Sequence, residues 1–479
     1  MEKIFEKFQD NINYLNDFSV VCTKLAYFEK AEYLSNRAFQ AEPNNSNHLI
    51  NLAAIYNFMG NFEAALNVID RAIKINPIES KYYNLMGVTL VKSGLDSLAR
   101  KMFQISFALD NKFIDAKVNL AVLDSKVGDH FSSIKELEHS IKIINENKLD
   151  AISINQIKYL LSYDYLSVGN LQKGWEYYDF GFELNIQYNS RRNPTRTFKK
   201  PRWNGVAKKD KTLLIWREQG IGDEILFYTC LPDLVNLDLK VIVECEERLV
   251  EILSRSFPTF VIRKENYNHS NLHSLQEDYD YHLPVGSLMQ YFRNDIKKFN
   301  LNVPIFKINE KLAKYHEDKL IQKKSFKKRI GICWRSGLLD MERNNHYLII
   351  EDLAPIFENK DFDFINLQYG DCEEELLLIE NMCDINIIRW KDLDLKEEID
   401  SVIALISRLD LVITVSTAVI AMAASIGKPV FLIGVKGWIN LGTKNLPFFP
   451  STECFFPSQT QIVSECIPNV NTRLLEKFA

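Results

Sequence analysis

Hydrophobic and polar positions along the chain follow two rhythms, and the change between them falls near residue 211. Up to about residue 188, apolar residues recur at helical spacing in paired segments, with a period of 34 residues. Ala31, Ala38 and Pro43 return as Ala65, Ala72 and Pro77. Leu49, Leu52, Ala53, Tyr56, Gly60 and Phe62 fill the second unit, and Tyr83, Met86, Gly87, Leu90, Gly94, Ala99 and Phe103 the third. The fourth carries Leu120, Ala121, Gly128, Ser133 and Leu137; a looser fifth (Ser162, Tyr165, Gly169, Gly174, Tyr178) follows an insertion at 145–155. Beyond residue 211, apolar runs of strand length alternate with helical stretches. The predicted strands are 213–216, 239–245, 260–263, 279–284, 330–334, 364–367, 385–390, 411–415 and 429–433. The predicted helices are 224–231, 247–256, 353–358, 373–382, 397–408 and 418–426, and the polar stretch 266–277 is predicted as a loop.

The first rhythm resembles the tetratricopeptide repeat over four units. Its small residues let two helices cross closely, while the large ones fill the groove between neighbouring pairs. Stacked units make a solenoid whose concave face suits an extended protein or peptide partner; a rigid spacer or dimerisation arm is the alternative. The second rhythm predicts parallel sheets covered by helices, in two lobes with a ligand cleft between them. The expected organisation is a solenoid over 1–188, a basic linker over 189–210, and α/β lobes over 211–325 and 326–479. The linker's arginines and lysines, with Pro194 and Pro201, read as a solvated segment.

Composition narrows little. A net charge of −5 gives no basis for a nucleic-acid partner, and none is expected. Eight cysteines with no C-x-x-C spacing fit a reduced, cytoplasmic compartment. Residues 1–10 are charged and lack the apolar segment of a secretory signal. The longest apolar run, 411–427, is shorter than the ~20 residues of a membrane helix and contains Thr414, Ser416, Thr417 and Ser425. A strand followed by a buried helix is expected there, with no membrane span.

Two turns carry chemistry. In the first, Gly220 and Gly222 break the run after Trp216 and present Asp223 at the carboxyl end of a sheet. The spacing Gly220-x-Gly222-x-x-Ile225, with Glu244 ending the next strand, is part of a dinucleotide fingerprint. Against it, Ile225 replaces the third glycine, and Asp223 would repel a pyrophosphate. In the second turn, Ser416 and Thr417 can cap the helix that follows, leaving amides for an anion or simply closing the helix. Arg335 ends another strand and offers a bidentate fork for a diphosphate; a satisfied surface arginine is the alternative. Gln368 and Tyr369 are nucleoside candidates.

Taken together, Glu218-Gln-Gly-Ile-Gly-Asp223, Cys333-Trp-Arg-Ser-Gly337, Arg343-Asn-Asn-His-Tyr347, Asn366-Leu-Gln-Tyr-Gly370 and Ser416-Thr-Ala418 through Gly427-Lys-Pro429 resemble tetratricopeptide-linked glycosyltransferases related to the heptosyltransferase family. The resemblance implies an N-terminal solenoid followed by a two-lobed GT-B fold, with Asp223 as general base. It implies a substrate site of Glu218, Gln219, Gly220, Gly222, Arg335, Ser336, His346, Gln368, Tyr369, Ser416, Thr417 and Ala418. The donor would be a nucleotide-sugar, used as substrate without cofactor or metal, and the acceptor a protein or peptide docked by the repeats. Homo-oligomerisation stays open. Two positions depart from the family: Ser416 stands where Asp is common, and Ala421 where His is. An adaptor with a degenerate nucleotide-sugar domain, or a sugar-nucleotide epimerase, are the other readings.

Overall fold

The computed structural model describes residues 11–149, 154–183, 192–268, 273–299, 304–323, 325–337, 347–458 and 462–479. The chain forms two compact units, Met1–Asp164 and Tyr165–Ala479.

In the first unit, helices come in pairs: Ile12–Lys24 with Phe28–Ala41, Asn47–Met59 with Phe62–Ile75, Ser80–Lys92 with Asp96–Leu109, and Ile114–Lys126 with His130–Asn147. Gly60, Gly94 and Gly128 take positive φ at the turn inside three pairs, a conformation glycine adopts without steric cost. The repeating small residues Ala31, Ala38, Ala53, Ala65, Ala72, Ala99 and Ala121 are all fully buried. At Gly87 a Cβ would collide with the Phe103 ring, so the third pair crosses closely only because that position is glycine. Buried hydrogen bonds join successive pairs: Ser46 to Tyr82 at 2.6 Å, and Asn57 to Thr89 at 2.9 Å. Asp164 closes the stack, accepting from Ser125 and Ser133 at 2.6 Å and lying 2.7 Å from His130 Nδ1. This region is a tetratricopeptide-like helical repeat.

The second unit holds two parallel sheets. Strands β1 (Thr212–Trp216), β2 (Lys240–Cys245), β3 (Val261–Lys264) and β4 (Tyr281–Pro284) are ordered β3-β2-β1-β4. Strands β5 (Lys328–Cys333), β6 (Phe362–Asn366), β7 (Leu411–Val415), β8 (Val430–Ile433) and β9 (Thr452–Phe455) are ordered β9-β8-β7-β5-β6. Every pairing in both sheets is parallel. Central strands such as β7 are buried along their whole length, as a sheet covered on both faces requires.

Several expectations need correcting. The units divide at 164/165 rather than at 188. The last repeat-like helix, Leu171–Tyr178, belongs to the second unit, where Trp175 packs edge-on against Trp438 and Phe448 and donates to Arg293 O at 3.0 Å. The linker is solvated only in part: Lys199, Lys200, Arg202, Lys208 and Lys209 are exposed, but three of its residues enter the core. Arg192 is fully buried, Arg196 is 6% exposed and Trp203 2% exposed, because two buried acids draw the arginines inward. Arg192 forks onto Glu218, and Arg196 bonds Glu244 at 2.7 Å. The predicted strand 385–390 is a single bridge, Ile365 to Ile388, and the next residue, Arg389, pairs with Glu373 and Glu380. The stretch 266–277 contains a short ladder, Tyr267–Asn268 against His273–Ser274. Helices Leu288–Phe292, Glu310–Ile321 and Ile467–Phe478 and strand β9 are among the elements the pattern does not predict; the last helix buries one stripe, Ile467, Val470 and Leu474. Among the described residues, no helix is long and apolar enough to cross a membrane.

Candidate functional site

The first turn is built from behind. After β1, the Glu218 carboxylate is fully buried and takes the Arg192 guanidinium together with Gly286 N–H at 2.8 Å. A Cβ at Gly286 would stand 2.6 Å from Glu218 Oε1, so the approach depends on that glycine. Arg192 also reaches Asp179 at 2.7 Å and lies between the Tyr178 and Phe182 rings. Glu218 is therefore structural, and its expected contact with substrate is withdrawn because no part of it reaches the surface. Gln219 donates its N–H to Asn193 O at 2.6 Å and holds φ +59°, an uncommon conformation for a residue with a Cβ.

Helix Ile221–Phe227 starts here with Gly220 as its N-cap and Asp223 in its first turn, half-buried. Glu224 N bonds Gly220 O at 2.9 Å. Asp223 is thus the third helical residue, not the cap. Glu224, fully buried, accepts from Tyr228 Oη at 2.5 Å and Glu246 N at 2.9 Å, and lies 3.0 Å from Arg217 Nε. Burial raises its pKa to about 7 despite Arg217. Glu244, the acid of the dinucleotide reading, is fully buried between Arg196 and Arg263, which occupy the oxygens a ribose would need.

The second turn follows β7. Ser416 is exposed, and Thr417 caps helix Ala418–Ser425 by accepting from Val419 N at 3.3 Å; its hydroxyl also lies 3.2 Å from Thr414 Oγ1. The first turn of this helix carries no acidic residue. The two turns meet: a Cβ on Gly222 would lie 3.3 Å from Ala418 Cα. Asp223 and the amide end of the Thr417 helix are thereby neighbours at the carboxyl ends of both sheets.

Other expected residues are brought together differently. Arg335 forks onto Glu375, with Nε 3.0 Å from Oε1, and donates from Nη2 to Asp371 O at 2.7 Å. These contacts occupy Nε and Nη2 of the guanidinium. Burial alone would raise the Glu375 carboxyl, but the hydrogen bonds from Arg335 and Trp334 hold it below its ordinary value. Gln368 is 1% exposed; its Oε1 accepts from Trp334 N and Arg335 N at 3.1 and 3.0 Å, and its Nε2 donates to Tyr369 O at 2.9 Å. Its amide shapes the loop after β5, which corrects its assignment to a nucleoside. Tyr369 is half-buried with its hydroxyl 3.3 Å from Ser336 Oγ. His346 lies outside the described residues.

No protein-family model matches the chain. Over 448 residues the chain is 26% identical to Protein FlbA of Caulobacter vibrioides, covering 91% of this chain and 73% of FlbA. Among solved structures it is similar to MamA protein, with 18% identity, 36% of this chain, 90% of that one and a TM-score of 0.28. A thermophilic TPR protein of Thermus thermophilus is similar with 16% identity, 37% of this chain, 92% of that one and a TM-score of 0.32.

Sequence reasoning missed the segment 192–203, which wedges Arg192, Arg196 and Trp203 into the first lobe. A signal existed: its arginines alternate with Phe198 and Trp203 and are matched by the acids Glu218 and Glu244, each following a strand-like apolar run.

Proposed function

We propose that the second unit is a GT-B-like glycosyltransferase, moving a sugar from a nucleotide-sugar to an acceptor hydroxyl, with the solenoid presenting a protein or peptide acceptor. The supporting observation is the meeting of Gly222 with Ala418. It brings the turn that carries the half-buried Asp223 against a helix whose first turn is free of acidic residues, where an anion is favoured. In this reading the donor diphosphate lies on the amides after Thr417. Asp223 takes the acceptor proton as the acceptor oxygen attacks the anomeric carbon from the opposite side. Ser336 and Tyr369 border the donor side, Gln219 and Gly220 the acceptor side. Similarity to FlbA over 91% of the chain extends across both units, in keeping with a solenoid and an α/β part working as one protein.

A non-catalytic adaptor is the second reading, and specific observations favour it. Arg335 is paired with Glu375, the Gln368 amide is used internally, and Ser416 and Ala421 stand where the glycosyltransferases that the sequence resembles often have Asp and His. Thermal-shift screening with UDP-, GDP-, ADP- and CMP-sugars separates the two. Stabilisation by one donor, abolished in Thr417→Glu, supports transfer; no shift with any donor leaves the adaptor. A chain lacking residues 1–149 should keep that shift and lose transfer to the protein acceptor.

A further inference from the structure

One edge of the solenoid is apolar and exposed. In a stack of helix pairs, the turns inside the pairs fall on one side and the turns between pairs on the other. The inner turns present Leu25 and Tyr27 in the first pair, Phe58 in the second, Leu95 in the third, and Val127 and Phe131 in the fourth, all exposed. Phe58 is 66% exposed and Phe131 75%. Contacts between successive pairs hold these turns side by side. Tyr56, two residues before Phe58, donates to Glu32 of the first pair at 2.7 Å, and Lys92 Nζ of the third lies 5.8 Å from the Phe58 ring. Lys126, beside Val127, lies 2.6 Å from Asp96, beside Leu95. The opposite edge, along 42–46, 76–79 and 110–113, is mostly polar, and Ile78 is the exposed large apolar residue there among the described residues.

Size and charge together select what covers this ridge. Six large side chains at about half to three-quarters exposure amount to on the order of 600 Å², about the most that a monomer leaves in one patch. Doubled across an interface, that becomes about 1,200 Å², the lower end for a specific, stable protein contact. Three of the first helices end on a lysine, Lys24, Lys92 and Lys126. Three of the second helices carry an acid in their first turn, Glu29, Glu63 and Asp96. The signs nearly balance along the edge, so no field favours an acidic or a basic partner, and none keeps two copies apart. The ridge also repeats once per helix pair, which lets its side chains fall between those of an identical ridge.

We propose that this edge pairs two copies of the chain about a two-fold axis. The contact is isologous: each copy gives the same ridge and meets the same ridge. Phe58 and Phe131 are its anchors, since large exposed aromatics contribute most when an interface desolvates them. The concave faces of both solenoids stay open, so the pair offers two docking surfaces at once. The pairing uses neither turn of the second unit, and it stands apart from the glycosyl-transfer reading.

Sedimentation equilibrium of the full chain over about 1–100 µM tests it, and a mass of two copies should appear within that range. Phe58→Ser combined with Phe131→Ser should raise the dissociation constant about a hundredfold or more, the scale of two lost anchors. Ile78→Ser, on the opposite edge, should change it by less than about twofold. All three side chains lie on the surface, and unchanged helical circular dichroism checks that the variants fold; Leu95→Lys gives the same readout from a further pair. A monomer across the whole range overturns the inference. So does a dimer that the ridge variants leave intact, or one that Ile78→Ser weakens equally. An assembly of three or more copies overturns the two-fold pairing.

Discussion

The two turns that meet at Gly222 and Ala418 are the same device with opposite chemistry. Each follows a parallel strand and opens a helix. In the first lobe the cap is Gly220, without a side-chain bond, and the first turn holds Asp223 and Glu224. In the second, Thr417 caps with its hydroxyl and no acidic residue follows. A helix N-terminus favours anions, so the second turn is open to a diphosphate while the first is already supplied with its own carboxylates. One strand–turn–helix unit can therefore hold either a base or a leaving group, according to two or three side chains.

The largest expected difference is in rate. Asp223→Asn should leave the fold and nucleotide-sugar binding intact, because Gly220, not Asp223, is the cap. Transfer should fall on the order of 10²–10⁴-fold, the usual share of general-base catalysis. Near-normal transfer by the asparagine variant in a single-turnover assay would remove Asp223 from the chemistry. Glu218, fully buried on Arg192, could not replace it.

A second contrast lies behind the turns, where each lobe has a forked arginine–glutamate pair. Arg192 and Glu218 are both fully buried, whereas the Arg335 side chain is 15% and that of Glu375 30% exposed. Arg192→Met should destabilise the unit by about 3–5 kcal/mol, since it strands a buried carboxylate. Arg335→Met should cost about 1 kcal/mol or less in the same urea titration. Equal losses would mean that exposure does not govern the two pairs.

The same pairing resets an expectation about binding. With its fork occupied by Glu375, Arg335 has little left for a diphosphate, and Arg335→Ala should change nucleotide-sugar affinity by less than about threefold. A loss nearer a hundredfold would mean that the ligand displaces Glu375.

Much of this layout was legible in the chain. The 34-residue period set out four helix pairs, and strand 411–415 was read to the residue, because β7 is apolar throughout. The two turns were legible from their glycines and hydroxyls. What escaped is what depends on pairing between distant residues. No local pattern says that Arg192 and Arg196 are core residues; that follows from Glu218 and Glu244 lying at the buried ends of β1 and β2. The engagement of Arg335 by Glu375, forty residues later, is likewise tertiary.

In the wild-type chain the effect of pH should be small, because two titrations in the first lobe oppose each other. Burial raises Glu224 to about 7. Burial, reinforced by Arg202 and Arg196, lowers His282 to about 4, and His282 Nδ1 accepts from Trp216 Nε1 at 3.2 Å, which needs the neutral ring. For Glu224 the folded state binds more protons than the unfolded one between about pH 4.5 and 7, so its contribution falls as pH rises. For His282 the unfolded state binds more between about pH 4 and 6.5, so its contribution rises with pH. Over the shared window the two slopes should largely cancel, leaving wild-type stability nearly flat from about pH 5 to 6.5. Glu224→Gln keeps an oxygen to accept from Tyr228 and Glu246 N, and it removes the titration together with the charge that faces Arg217. Stability of that variant should therefore climb with pH across the window, by up to about 1.4 kcal/mol per pH unit. His282→Phe should show the reverse slope. Urea titrations of the three chains at half-unit pH steps check this, and parallel profiles would mean that neither group titrates differently in the folded lobe.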